Sequence, residues 1–378
     1  MTTILHVTDC FDGGVATAVN QYARLTPEYR HLLLANNTRS AAPTAARAPG
    51  AFEVDESLPA SPASAVSAVR RAVADHRPDV VHAHSSFAGA YTRIARSLDL
   101  VTDLVAPGRR ARPVVYTPHS FAFERADIPA WKRRAFRTME RSLHPLTTVG
   151  ASCAQWEGEL MAGLGRAPVV VVPNALMDDH PAVPGSWSPP ETEHPVVGVV
   201  SRVTPQRDPA FFAATARLIR RQVPGARFVW IGDSDGKGDS KGDGKDSSLV
   251  TVLADAGVEV TGWLSGEDLR RRVAGLSLII HTARWDGFPM AVLEARRIGV
   301  PLLVRDIPSL RECPATARFD SPQDAAAKAV TILRNRHDPS HWAGLDASHT
   351  PERQHAALTE AYTLALDLAG RSPRKEDA

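Results

Sequence analysis

Three cysteines in 378 residues, Cys10, Cys153 and Cys313, stand far apart and match no disulfide framework or zinc-ligand spacing. That excludes a cystine-stapled module and fits a reducing cytoplasm. Net charge is nearly absent too: 44 Lys and Arg against 42 Asp and Glu leave a formal +2. No global field draws the chain to nucleic acid or anionic lipid, so any basic function must be local. The N-terminus has no basic segment leading into a long apolar one, and no apolar run approaches the ~18 residues of a membrane span. The chain is expected to be neither secreted nor membrane-spanning.

What remains is length and pattern. At roughly 100–200 residues per domain the chain fits two domains with separate cores. Short runs rich in Val and Ile recur at 4–7, 80–81, 114–116 and 169–172 with helix-length segments between them, the pattern of a parallel α/β domain. A second series at 196–200, 228–232, 258–261, 276–281 and 301–304 follows the Pro-rich stretch 180–195. The expected division is 1–184, 185–349, a helix at 350–369 free to pack back across both domains, and a frayed tail at 370–378. Near-continuous apolar strands imply sheets covered on both faces, whose ligands sit beyond the carboxyl ends of the strands. The Gly, Asp, Lys and Ser tract 234–248 has no apolar anchor and is expected to be a mobile loop. Its interleaved Lys237, Lys241 and Lys245, and the lack of a closing Glu, weigh against a calcium loop.

The strongest chemical signal is Asp286-Gly287-Phe288-Pro289-Met290-Ala291-Val292-Leu293-Glu294, just after the run 276–281. Pro289 suits a first helical position, which puts Asp286 in the preceding loop and Glu294 along the helix. A helix start offers N–H groups and positive dipole to a phosphate, and carboxylates accept from sugar or ribose hydroxyls. The bland alternative is a capping Asp286 and a solvated Glu294. Ser201-Arg202-Val203-Thr204-Pro205-Gln206-Arg207-Asp208 sends two guanidiniums to the mouth of the same sheet, where their forks suit a diphosphate; surface arginines before a helix are the rival account.

In the first half, Asp12-Gly13-Gly14-Val15-Ala16 joins a strand to a helix and lets backbone approach a ligand, although a plain tight turn fits as well. His119, in Tyr116-Thr117-Pro118-His119-Ser120, follows another strand. His82 and His84 share a strand face without a convincing third ligand, so a polar floor or satisfied structural histidines are expected, and no metal site. Lys132, Arg133, Arg134, Arg137 and Arg141 follow Trp131 on an expected helix. This face serves anionic lipid or a lipid-diphosphate acceptor on one reading, and is an ordinary solvated surface on the other.

With these motifs in order, joined by Val172-Pro173-Asn174 and Thr261-Gly262-Trp263, the chain resembles the retaining glycosyltransferase family 4 over nearly its whole length. The resemblance implies a GT-B fold of two Rossmann-like parallel-sheet domains facing a cleft, the first mainly for acceptor and the second for a nucleotide sugar. It implies UDP-sugar as co-substrate, a saccharide, lipid-linked or small-molecule acceptor, retention of configuration, and no metal or other cofactor. Gly13 and Gly14 would lie near the diphosphate, and Arg202 and Arg207 look like the diphosphate-binding pair. Asp286 looks like the donor-sugar carboxylate, with Gly287, Phe288, Pro289 and Met290 around it, Glu294 like the ribose ligand, and His119 like the histidine beside the donor sugar. Three departures are visible: Asp286 for the usual Glu, Arg207 for Lys, and Ala175 for Gly after Pro173-Asn174. A sugar-nucleotide epimerase on the same architecture and a non-catalytic nucleotide-sugar-binding protein are the alternatives.

Overall fold

The structure is a computed structural model and describes residues 1–36, 46–105, 111–176, 194–233, 245–264, 266–335 and 340–371. It divides into two compact units, Met1–Ala175 with His349–Ala378, and Leu176–Ser348. The expected boundary between 184 and 185 and most of the 234–248 tract lie outside the described residues.

The first unit is built from β1 (Thr2–Thr8), α1 (Gly13–Leu25), β2 (Tyr29–Ala35), β3 (Val54–Ser57), α2 (Pro62–His76), β4 (Val80–His84), α3 (Ser86–Val105), β5 (Val114–Thr117), α4 (Ala130–Leu143), β6 (Val149–Ser152), α5 (Gln155–Ala162) and β7 (Val169–Val171). All strand pairs are parallel, in the order β3-β2-β1-β4-β5-β6-β7. The second unit contains β8 (Val196–Val200), α6 (Pro209–Gln222), β9 (Arg227–Ile231), α7 (Lys245–Ala254), β10 (Val258–Val260), α8 (Gly266–Ala274), β11 (Leu278–His281), α9 (Met290–Ile298), β12 (Leu302–Arg305), β13 (Arg318–Phe319), α10 (Pro322–Arg334) and α11 (Ala343–Ser348). Its sheet is again parallel, ordered β10-β9-β8-β11-β12-β13. The expected α/β class holds in both halves. Four strands escaped the apolar-run reading: β3 is an exposed, acidic edge, β6 reads Val-Gly-Ala-Ser, β2 opens on Tyr-Arg-His, and β13 is only Arg-Phe.

The chain closes with α12 (Pro351–Leu368). Its Leu358, Ala361, Tyr362, Ala365 and Leu366 recur at helical spacing and pack on Ile4, Val80, Val115, Val149 and Val170 of the first unit's sheet. The last helix is therefore part of that unit's core. Burial of this stripe supplies the apolar contact area that a polar C-terminal helix would lack.

Strand order reverses between β1 and β4 in the first sheet and between β8 and β11 in the second. Loops leaving the carboxyl ends at such a reversal diverge to opposite faces and open a crevice. Both reversals carry the motifs singled out in the sequence.

Candidate active site

In the second unit, the loop after β8 and the loop after β11 are laced together. Gln206 Nε2 donates to the Trp285 carbonyl at 2.8 Å, and Arg284 N donates to the Gln206 carbonyl at 2.9 Å. Thr282 Oγ1 donates to the Arg207 carbonyl. Arg207 Nη1 reaches Asp286 Oδ2 in an ion pair, while Asp286 Oδ1 accepts from Gly287 N at 2.9 Å. His281 Nε2 lies 3.8 Å from Asp286 Oδ2, and burial followed by the Arg207 charge lowers its pKa to about 4. Asp208 caps α6 through Phe211 N with a positive φ of 53°, and its other oxygen binds Arg305 Nη1 at 2.7 Å. Arg202 extends from the same loop into solvent.

Pro289 is the N-cap of α9 rather than its first helical residue, because its ψ of 126° is extended. No side chain caps this helix; Val292 N donates to the Pro289 carbonyl at 3.0 Å, while the N–H groups of Met290 and Ala291 are available to an anion. Phe288 and Met290 are buried in the unit's core, which leaves only their backbone for the expected donor contact. Glu294 lies one turn in, on the wall of a cavity of about 170 Å³ lined by Val200, Val273, Ile279, Ala291, Ala295 and Ile298. Desolvation there raises the Glu294 pKa. Arg270 is the other charged residue of a mostly apolar lining, and a desolvated carboxylate there has a reason to take hydroxyl donors from a ligand. Behind β9, Gly232 adopts φ 141°, and a Cβ on it would meet the Ser201 carbonyl oxygen at 2.1 Å, so the Arg202 loop can pass only over glycine.

In the first unit, Asp12 caps α1 by accepting from Gly13 N at 2.6 Å, and Gly13 has φ 50° with open space where a Cβ would be. Gly13 and Gly14 are exposed at that helix start. Beyond β5, His119 and Ser120 take φ of 50° and 82°, a left-handed pair that only strong anchoring sustains. The anchor is Glu157 on α5, a residue the sequence reading missed: its carboxylate accepts from Ser120 N at 2.6 Å and from Cys153 N at 2.8 Å. Asp9, also missed, accepts from Ser85 Oγ and Ala88 N and ties β1 to the start of α3. His119 keeps part of its surface accessible, and desolvation lowers its pKa to about 4.

His82 and His84 are fully buried. His82 is satisfied as expected, with Nδ1 2.9 Å from Tyr362 Oη and Nε2 2.9 Å from Thr117 Oγ1. The expectation that no third ligand accompanies the pair fails, because β1 lies beside β4 and brings His6 within reach; ligand atoms of His6, His82 and His84 lie within 4.8 Å of one another. Three neutral imidazoles are a plausible donor set on chemistry alone, but His6 Nδ1 and His84 Nε2 bond each other at 3.0 Å. Nothing in their separation along the chain could have signalled this.

The sequence profile of the glycosyl transferase 4-like domain matches residues 13–175, and that of glycosyl transferases group 1 matches residues 194–335. The chain belongs to the GT-B glycosyltransferases. It is 26% identical over 261 residues to the Escherichia coli UDP-Gal:alpha-D-GlcNAc-diphosphoundecaprenol alpha-1,3-galactosyltransferase, covering 64% of this chain and 61% of that protein. It is 22% identical over 316 residues to an uncharacterized 41.2 kDa protein in the cps region of Klebsiella pneumoniae, covering 82% of each. Among solved structures, Anabaena HepE in complex with UDP and glucose superposes with a TM-score of 0.70 at 17% identity, covering 95% of this chain and 99% of that one. This glycosyltransferase has no helix, among the described residues, long and apolar enough to cross a membrane. Its three cysteines are free thiols.

Proposed function

We propose that the enzyme moves a hexose or N-acetylhexosamine from a UDP-sugar to a saccharide, lipid-linked or small-molecule acceptor in the cytoplasm, with retention of configuration and without a catalytic metal. The observation that carries this reading is the Arg207–Asp286 pair at the uncapped start of α9, one turn from Glu294 and its cavity. Departure of UDP puts negative charge on the diphosphate. Arg202, Arg207 and the α9 N–H groups are fixed donors for that charge. Asp286 holds a hydroxyl of the donor sugar and Glu294 holds the ribose, while His119 of the first unit receives a substrate hydroxyl. The acceptor attacks from the face that the diphosphate leaves, and a phosphate oxygen takes its proton. The Escherichia coli relative is named for a UDP-Gal donor and a diphosphoundecaprenol-linked acceptor, which supports both a UDP-sugar and a lipid-linked saccharide here.

A lipid-linked acceptor is also favoured by α4. Lys132, Arg133, Arg134, Arg137 and Arg141 are exposed on it beside exposed Trp131. Phe136 meets Phe87 of α3 edge-on at 6.3 Å, and α3 presents Ile94, Leu98, Val101 and Leu104 to solvent. Cationic and apolar faces side by side suit the inner face of a membrane.

The test is a screen of UDP-sugars by thermal shift, followed by product analysis with a diphospho-lipid-linked saccharide in excess chelator. Glycosylated acceptor with the anomeric configuration of the donor is expected. Epimerised nucleotide sugar, binding without transfer, or transfer only after magnesium or manganese is restored would each defeat this reading.

A further inference from the structure

Three imidazoles stand in file behind His119. His31 Nε2 lies 2.9 Å from the Thr26 carbonyl oxygen and 3.1 Å from Thr26 Oγ1. His31 Nδ1 lies 3.0 Å from His6 Nε2, His6 Nδ1 lies 3.0 Å from His84 Nε2, and His84 Nδ1 lies 3.2 Å from His119 Nε2. The rings come from β2, β1 and β4, adjacent strands of one sheet, so the backbone holds the file in place.

The proton on each ring follows by elimination. A carbonyl oxygen only accepts, and the Thr26 hydroxyl donates its own proton to the Tyr22 carbonyl at 2.6 Å. His31 must therefore carry its proton on Nε2. Its Nδ1 then holds a lone pair, so His6 donates from Nε2; by the same step His84 donates from Nε2 to His6, and His119 from Nε2 to His84. Desolvation lowers the pKa of all four rings, to about 4 for His119, which keeps them neutral near pH 7. At the end of the file His119 Nδ1 keeps its lone pair and makes no hydrogen bond among the described residues.

We propose that His31, His6 and His84 are positioning residues that hold His119 in the Nε2–H tautomer and so present its Nδ1 as a hydrogen-bond acceptor for a substrate hydroxyl. The proposal rests on the reading above, in which His119 meets a substrate hydroxyl. Each link is needed because a string of neutral imidazoles can run in either direction, and only the Thr26 carbonyl sets which one. Without His31, His6 can turn its proton to Nδ1, His84 follows, and His119 Nδ1 becomes a donor. The competing use of these rings is a metal ion among His6, His82 and His84. Such an ion would take the His6 lone pair that the His84 proton now occupies.

The test is ¹⁵N NMR of the histidine rings in the full chain, with transfer kinetics on the same samples and His119→Gln to assign the signal. In the wild type His119 is expected as one neutral tautomer, protonated on Nε2. His31→Leu and His84→Leu should give mixed tautomers and lower kcat by about 10- to 100-fold, the range for losing a partner that orients a functional histidine. His84→Asn keeps an amide oxygen near the former Nδ1 position and should restore one tautomer and most of the turnover. A wild-type His119 protonated on Nδ1 overturns the proposal, as does a tautomer unchanged in both leucine variants. A mixed tautomer with wild-type kcat overturns the positioning role, and stoichiometric zinc in the purified chain overturns the file itself. A wild type that transfers from no UDP-sugar is a failure of the functional reading, and the spectrum still decides the file.

Discussion

Arg207 Nη1 is ion-paired with Asp286 Oδ2, joining two loops whose residues stand 79 positions apart in the chain. The pair does more than neutralise two charges, because one Nη contact leaves other guanidinium donors free for a diphosphate while the carboxylate fixes the plane of the fork. The two residues should therefore act as a unit. Arg207→Ala is expected to lower kcat by roughly 10²–10³, the range for deleting one preorganised donor. Asp286→Ala should also lower kcat, and the double variant should be no worse than additive minus the coupling between them. Strictly additive losses in kcat would show that the pair is incidental to catalysis.

If Glu294 holds the ribose as proposed, its raised pKa should make donor binding proton-linked. In the free enzyme, a raised carboxyl pKa favours stability below the ordinary value of 4.5, and this contribution is lost as pH rises through the raised folded value. Ribose hydroxyls favour the ionised form, so UDP binding should release protons near that value and weaken as pH falls through it. Calorimetry in two buffers of different ionisation enthalpy measures the release. Glu294→Gln should abolish it and raise the donor KM more than it lowers kcat; release undiminished in that variant would assign the proton to another group.

The buried histidines predict acid lability. His6, His31, His82, His84, His119 and His281 all have pKa values lowered by burial, to about 4 for His119 and His281. A depressed folded value gives stability that is fully present above the ordinary 6.5 and is lost as pH falls towards 4. The melting temperature should be level above about pH 7 and fall steeply below about pH 6. A melting temperature unchanged between about pH 7.5 and 5 would contradict neutral burial of these rings.

Arg93 and Glu140 form a fully buried ion pair at 2.7 Å, with Tyr116 Oη donating to the same carboxylate at 2.9 Å. It fastens α4 to α3 and the sheet. Glu140→Ala leaves a buried guanidinium uncompensated and is expected to cost about 3–5 kcal/mol in urea unfolding. Arg93→Met with Glu140→Leu should cost clearly less, since it removes both charges. Equal losses would show that packing, rather than charge, holds the two helices.

The fold class was legible because parallel strands covered on both faces are continuous apolar runs, and the two sheets carry nine of them. β3 and β6 were not, since an exposed edge strand and a Gly-Ala strand have no such run. In the second unit the Arg202–Arg207 and Asp286–Glu294 motifs were readable because each is a loop leaving a strand for a helix, where local chain chemistry reports function. Glu157, Asp9, His31 and His6 were unreadable for the opposite reason: their partners Ser120, Ser85, His6 and His84 are supplied by strand order, which the sequence does not print. The last helix was visible as a helix, while its seat on the first sheet emerged only from the packing of Leu358, Tyr362 and Ala365.

The most direct test of the donor site is a calorimetric titration of the full chain with UDP in excess chelator, repeated with Arg202→Ala and Glu294→Ala. Binding without metal is expected for the wild type, weakened about tenfold or more in each variant while circular dichroism and melting temperature stay near wild type. UDP binding of wild-type strength in both folded variants would contradict a donor site at the reversal between β8 and β11.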